Sequence, residues 1–311
     1  LLDKTRLTEE FGYRPWSTTV DLHARQIRAI EPDTFDELHA ALRSLDLHSN
    51  RISSLSAFTF SNLSRLEILN LSENALQTPP LPATIFGDLA NLRELSLSAN
   101  RLSVLDPAIF NRTVRLSVLD LSQNRFGPSL ASTLFRALGT TLRQLDLHTN
   151  QLTSLHPDTL TGLTALEELR LDSNQLSSLQ PGIFRDLGRL RRLDLSRNKL
   201  RSLEDAVFGG LTSLDWLSLA ENELSGTLGG SGLFAGLGRL TMLSLAGNRL
   251  TGLHPDTLAL PPPVVVYLDE LDLSNNRLTF LHPAIFARLR HVSRLSLANN
   301  SFAYVNPADL V

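Results

Sequence analysis

The chain has no cysteine. That excludes disulfides, thiolate metal sites and a cysteine nucleophile. It also lacks a basic excess. Its 29 Lys and Arg against 32 Asp and Glu give a net charge of -3, which argues against a general polyanion binder and against nucleic acid as a partner, because phosphate-driven affinity needs a basic surface. No run of 18 apolar residues is present, so membrane contact is expected only through parts of the protein outside these residues. The start, Leu1-Leu2-Asp3-Lys4, is neither an initiator Met nor a signal peptide. Enzyme signatures are missing too: there is no Gly-rich phosphate loop, no His-Glu-x-x-His and no Gly-x-Ser-x-Gly. The carboxylates are periodic and solvent-facing, the wrong setting for a tuned acid–base pair. No catalytic residue and no cofactor are expected.

What is present is one motif, over and over. Leu166-x-x-Leu169-x-Leu171-x-x-Asn174-x-Leu176 is a clean copy, and the same frame returns at Leu42, Leu66, Leu92, Leu116, Leu142, Leu190, Leu214, Leu240, Leu268 and Val292. A degenerate copy surrounds Val20, Leu22 and Ile27. About twelve copies at a spacing of roughly 24 residues indicate a solenoid in which each unit contacts only its neighbours. The expected organisation is a flank over residues 1–16 and a solenoid over 17–311.

The Leu-x-Leu segments, such as Leu45-Asp46-Leu47 and Leu145-Asp146-Leu147, read as short strands with both Leu inside and the middle residue outside. Stacked repeats pair them in parallel. The Asn that follows, from Asn50 to Asn300, is expected to point inward and satisfy backbone groups of its own turn and of the next repeat. Only the first copy lacks it, with Arg25 in that slot. The second half of each unit reads Leu-x-Pro-x-x-Phe-x-x-Leu, as in Leu179, Pro181, Phe184 and Leu187. Phe35, Phe60, Phe86, Phe110, Phe135, Phe184, Phe208, Phe234 and Phe286 predict a stacked spine, with Leu160 and Leu258 in the same slot. Pro107, Pro157, Pro181, Pro255, Pro283 and Pro307 favour extended or turn backbone there. The fold class expected is thus an α/β solenoid: a horseshoe with a parallel sheet on the concave side and turns, 3-10 segments and extended chain on the convex side. Four units carry insertions, near Pro79-Pro80-Leu81-Pro82, Gly127-Pro128-Ser129, Gly226-Thr227-Leu228-Gly229-Gly230 and Pro261-Pro262-Pro263-Val264-Val265-Val266. These are expected to be loops at the rim or outer face, and the last, being apolar, is the one best suited to meet a partner.

With Pro and Phe in its second half, the frame resembles the "typical" leucine-rich repeat of extracellular animal proteins: Toll and Toll-like receptor ectodomains, Slit, chaoptin-like adhesion proteins and variable lymphocyte receptors. The resemblance covers residues 17–311. It implies an extracellular or cell-surface recognition module without catalysis, binding a protein ligand or co-receptor through its concave face and rim. Those families mostly close their ends with cysteine-rich caps. This chain has none, which predicts a segment of a longer array. The insertion between Phe135 and Leu142, Arg-Ala-Leu-Gly-Thr-Thr, is similar to chaoptin-like chains and keeps self-association in an adhesion array open. An intracellular or microbial scaffold is the further alternative that zero cysteine allows.

Candidate ligand contacts follow from the exposed strand positions. Trp216 is the only aromatic residue in those columns, and Met242 occupies the same column one repeat later, about 5 Å away. Ser218, Ala220, Ser244, Ala246 and Gly247 around them are small, and Glu221 and Glu223 adjoin. That makes a shallow apolar patch of hot-spot type. A second spot is Asp21, His23, Asp46 and His48, where two adjacent strands each read Asp-Leu-His; Asp146 and His148 repeat the pattern. This donor set could hold a divalent metal or sense pH. The plainer reading is that Asp between two Leu belongs to the repeat consensus, and no metal is expected. Arg170, Arg191, Arg192, Arg197 and Lys199, interleaved with Glu167, Glu168, Asp172 and Asp194, form a mixed-charge surface that favours a specific protein partner. His156, His254 and His282 in Leu-His-Pro read as structural. Sequons occur at Asn62, Asn70, Asn111 and Asn299. Asn62 and Asn111 fall on expected loops, whereas a glycan at Asn70 would project from the sheet and push ligand toward the middle or C-terminal half.

Overall fold

The computed structural model describes residues 1–77, 79–205, 207–230, 233–234, 236–258, 266–286 and 289–303. The chain divides into two compact units, Leu1–Gln151 and Leu152–Val311. In the first, β1 (Thr19–Asp21), β2 (Ser44–Asp46), β3 (Ile68–Asn70), β4 (Glu94–Ser96), β5 (Val118–Asp120) and β6 (Gln144–Asp146) pair in parallel, each with the next. In the second, β7 (Glu168–Arg170), β8 (Arg192–Asp194), β9 (Trp216–Ser218), β11 (Met242–Ser244), β13 (Val266–Asp272) and β14 (Leu289–Ser296) do the same. A separate parallel pair joins β10 (Ser225–Leu228) to β12 (Arg249–Leu253). Helical backbone among the described residues is confined to short turns, at residues 4–10, Asp36–Leu38, Arg136–Leu138 and Pro283–Ile285. The expected fold class, a parallel β-solenoid of repeats with a largely non-helical back, is the one found.

The strands centre on the first Leu of Leu-x-Leu, one residue earlier than the sequence suggests. Leu45 and Leu47 are both fully buried, and the ladder runs on past the strand, since the Leu47 N–H donates to the Asn70 carbonyl at 2.8 Å. Directly before each inward Asn the chain takes a left-handed residue: Ser49, Glu73, Ala99, Gln123, Thr149, Ser173, Arg197, Glu221, Asn275 and Asn299 have φ between 50° and 57°. Each such residue costs roughly 1–2 kcal/mol. The bend is kept because it turns the Asn side chain into the core.

The Asn ladder corrects one expectation: the neighbour it serves is the preceding repeat. The Asn198 Oδ1 accepts the Leu176 N–H at 2.9 Å, and its Nδ2 donates to the carbonyls of Leu171 (2.9 Å) and Leu195 (3.1 Å). The Leu195 carbonyl also receives the Asn222 amide at 2.9 Å. Carbonyl oxygens with two lone pairs therefore link successive amides into a continuous buried chain. The direction follows from the bend, which tilts the amide back over the turn already laid down.

Behind the ladder stand the Phe rings. Phe35, Phe60, Phe86 and Phe110 stack at 6.4, 6.5 and 6.5 Å between centroids. Phe184, Phe208 and Phe234 stack at 6.1 and 5.7 Å. Leu160 and Leu258 fill the slot as expected, while Phe286 is only half-buried. One further Phe belongs to the core. Phe126 is fully buried and takes the place after the Asn where other repeats carry Leu, its N–H donating to Asn150 Oδ1 at 3.0 Å.

The flank packs on the first repeat. Leu2 and Leu7 are buried, and Leu2 forms a parallel bridge with Ile30. Arg25, in the slot without Asn, lays its guanidinium over the Phe11 ring at 5.5 Å. Of the insertions, the one expected to bulge at Gly226 instead supplies β10 and pairs with β12. Near Pro80, Leu81 is buried and anchors the segment. The Gly127–Pro128 peptide is cis. The apolar insertion at residues 261–265 lies outside the described residues, as do Pro307 and Val311.

Candidate functional site

The column between the two Leu faces outward, but much of it is occupied by local work. Asp46 Oδ1 accepts the His48 N–H at 2.9 Å, and the same brace recurs at Asp120–Ser122, Asp146–His148, Asp194–Ser196 and Asp272–Ser274. An aspartate here satisfies the first free N–H of the bend that follows, as Asx turns do. This gives the repeated Asp a structural reason.

The Asp–His grouping does come together. His23 Nδ1 lies 2.6 Å from Asp21 Oδ1 and His48 Nδ1 lies 2.7 Å from Asp46 Oδ1. The two imidazoles stack at 5.0 Å with planes 7° apart. Each ring is thus spent on its own carboxylate, and the rings face each other rather than converging on a point. No group of three or more His, Asp or Glu placed to hold a metal occurs among the described residues. The His23 hydrogen bonds hold the Asp21 carboxyl below the usual carboxylate range. His156, His254 and His282 each accept the N–H two residues on through Nδ1, at 3.2, 3.2 and 3.1 Å.

In the second unit the parallel register sets Trp216 opposite Met242 on one side and Arg192 on the other. The Arg192 guanidinium sits over the indole, 3.9 Å from its centroid, and reaches Glu168 at 3.7 Å. Such a cation–π contact is worth about 0.5–2 kcal/mol, depending on desolvation. Trp216 is therefore half-buried and already partnered, not a bare ring. Ser218 and Ser244 beneath are buried, and Ala220, Ala246 and Gly247 are half-buried. Their small size leaves a recess beside the Trp and Met. Glu221 is tied to Arg197 by two hydrogen bonds, 3.1 and 3.2 Å. Arg170 stands where most repeats carry Asp or Ser, 3.4 Å from the buried Asp172.

Just before the strands of the same unit lies a hollow of about 470 Å³ lined by Glu167, Arg189, Arg191, Ser213, Asp215 and Arg239. Arg191 belongs to the charged surface expected from sequence. Arg189, Ser213, Asp215 and Arg239 were not singled out there; the signal was available in the positions flanking the first Leu of each repeat, read down the column.

Of the sequons, Asn62 and Asn111 are exposed in turns, as expected. Asn70 lies in β3, half-buried, its Oδ1 accepting from the Ser72 N–H (3.1 Å) and hydroxyl (2.7 Å). Asn299 is exposed and donates to Asn275 at 2.9 Å.

The sequence pattern described as leucine rich repeat matches residues 18–76, 40–102, 79–126, 129–176, 164–224 and 266–311, and a second pattern of the same description matches 239–260. No curated protein matches the chain in sequence. Among solved structures, the chain is similar to Toll in the Drosophila Toll–Spatzle complex, with TM-score 0.83 and 25% identity over 96% of this chain and 40% of that one. It spans about two fifths of the Toll chain's length. It is similar to a leucine-rich-repeat protein of Leptospira interrogans, with TM-score 0.70 and 26% identity over 95% of this chain and 82% of that one. It also resembles a chain of the octameric complex of Latrophilin 3, Unc5D and the FLRT2 repeats, with TM-score 0.62 and 27% identity over 68% of this chain and 64% of that one.

Proposed function

The chain belongs to the leucine-rich-repeat family, and from that premise we propose that it is the non-catalytic recognition domain of an extracellular receptor or adhesion protein, binding a protein ligand through the strand face of its second unit. The observation that carries this is the Arg192–Trp216–Met242 run, a pre-ordered apolar and cationic surface above buried serines. Trp and Arg are the residues that dominate protein interfaces, and here neither needs to be ordered on binding. The Toll–Spatzle and Latrophilin–Unc5D–FLRT2 complexes support a protein as the ligand class. A self-associating array or a microbial surface protein is the competing reading, the second favoured by the Leptospira match.

The test is capture of ligand from an extracellular fraction with the intact chain, followed by affinity measurement on Trp216→Ala. A hot-spot residue predicts a loss of about 30-fold or more, the equivalent of about 2 kcal/mol. Unchanged affinity refutes the site. Binding only to further copies of the chain replaces the receptor reading with self-association.

A further inference from the structure

We propose that the hollow lined by Glu167, Arg189, Arg191, Ser213, Asp215 and Arg239 is a binding site for an acidic sugar, a saccharide unit carrying a carboxylate or sulfate beside free hydroxyls. The first ground is unused charge. Most arginines elsewhere in this unit are paired with carboxylates, among them Arg185 with Asp158, Arg192 with Glu168, Arg197 with Glu221, Arg201 with Glu223 and Arg294 with Glu270. The side chains of Arg189, Arg191 and Arg239 have no hydrogen-bond or ion-pair partner among the described residues, although Asp215 lines the same hollow and its own carboxylate has none either. Three guanidinium forks around one space match the planar or tetrahedral oxygens of a carboxylate or sulfate.

The second ground is the mixture of signs. Asp215 and Ser213 place hydrogen-bond acceptors beside the three donors. A purely anionic ligand, such as an acidic peptide, meets repulsion from Asp215 and Glu167 and offers that carboxylate nothing in return. A ligand whose anion sits next to hydroxyl donors satisfies both. The third ground is size and rigidity. A space of about 470 Å³ falls within the range of small-molecule sites. Its lining is carried on hydrogen-bonded backbone: the Arg191 N–H donates to the Glu167 carbonyl at 2.8 Å, the Asp215 N–H to the Arg191 carbonyl at 2.9 Å, and the Thr241 N–H to the Asp215 carbonyl at 2.8 Å. The site stands apart from the Trp216 surface in its chemistry and does not depend on that surface binding a protein.

The experiment is calorimetric titration of the full chain with a sialic-acid trisaccharide and a glucuronic-acid disaccharide, each against its neutral counterpart. Binding of an acidic sugar at least tenfold tighter than the neutral one is expected. The double variant Arg191→Gln, Arg239→Gln should abolish it, and Arg185→Gln, on another surface, should preserve it. All three side chains are exposed, and an unchanged circular-dichroism melt confirms that the variants fold. Equal binding of neutral and acidic sugars, absence of binding, or binding that survives the double variant overturns the proposal. A poly-glutamate peptide that binds as well as the acidic sugars also overturns it. A final arm uses a glycoprotein with and without its terminal sialic acids. Binding that needs them places the sugar on a partner's glycan, and free saccharide binding alone places it on an oligosaccharide.

Discussion

Replacing Asn198 with Ala removes one rung of the buried amide chain, and the structure sets the cost. The Leu176 N–H loses its acceptor at 2.9 Å and is left unsatisfied in a buried place, at about 1–3 kcal/mol. The Leu171 and Leu195 carbonyls lose a donor each, but each keeps another, from Asn174 at 3.1 Å and from Asn222 at 2.9 Å. Those two losses therefore count as ordinary hydrogen bonds, about 0.5–1.5 kcal/mol each. The sum is about 2–6 kcal/mol, with about 3 expected once water enters the small space left behind. Urea unfolding read by Trp216 fluorescence, within the same unit, measures it. A loss below about 1 kcal/mol refutes the view that each rung is held by the orphaned N–H. Asn198→Asp sharpens the test. Its Oδ1 can still accept from Leu176, but its second oxygen faces carbonyls, so burial and these neighbours raise the carboxyl's folded-state pKa above its unfolded value. A group raised in this way favours folding most below the unfolded pKa and loses that contribution as pH rises through the folded pKa. The Asp variant should therefore be closest to the natural protein near pH 4 and furthest from it at pH 7. A deficit that does not grow with pH would sink the argument.

The other expectations are briefer. Phe208→Ala breaks the stack to both Phe184 and Phe234 and should cost about 3–5 kcal/mol in denaturant unfolding, whereas Phe58→Ala, at a ring 68% exposed, should stay within about 0.5 kcal/mol; equal effects would dismiss the spine. Gly210→Ala puts a Cβ 2.5 Å from the Phe184 carbonyl oxygen, a backbone contact that no rotamer relieves, and thermal melting should show a loss of about 1–3 kcal/mol. NMR titration of His23→Ala should move the Asp21 pKa upward toward the ordinary carboxylate range, because the variant removes the imidazole hydrogen bond, the largest cause of the lowering, and keeps the backbone one; no movement would assign the shift to another cause. In a secreted eukaryotic preparation, peptide mapping should find glycan on the exposed Asn111, and its absence there counts against the extracellular reading.

Much of the architecture could be read from single residues. Leu169 and Leu171 declare an inward pair, Asn174 declares a bend, and Phe184 declares the back of the turn, because each slot tolerates little else. The direction in which Asn174 and its equivalents reach was not legible: it depends on the left-handed residue before each of them, and residues as different as Thr149, Arg197 and Ala99 occupy that position. The strand face was legible only in part. That Trp216 and Met242 lie side by side follows from the period alone. That Arg192 covers the indole does not, since the period gives Arg192 a neighbour on each side and no preference between them.

The sequence by itself determined the fold, because a solenoid is built from contacts one repeat apart and these recur in the chain as a visible period. It also determined which residues are core and which face outward. Only the tertiary structure decided how the outward residues are used. The Asp column turned out to brace bends, the paired histidines to stack, and Arg189, Arg191 and Arg239 to line one hollow with no ion pair of their own among the described residues. The physical reason is that exposed side chains are long and mobile, so their partners are chosen by rotamer and distance across neighbouring repeats. The period places such groups within reach of one another and leaves the choice among them to the folded molecule.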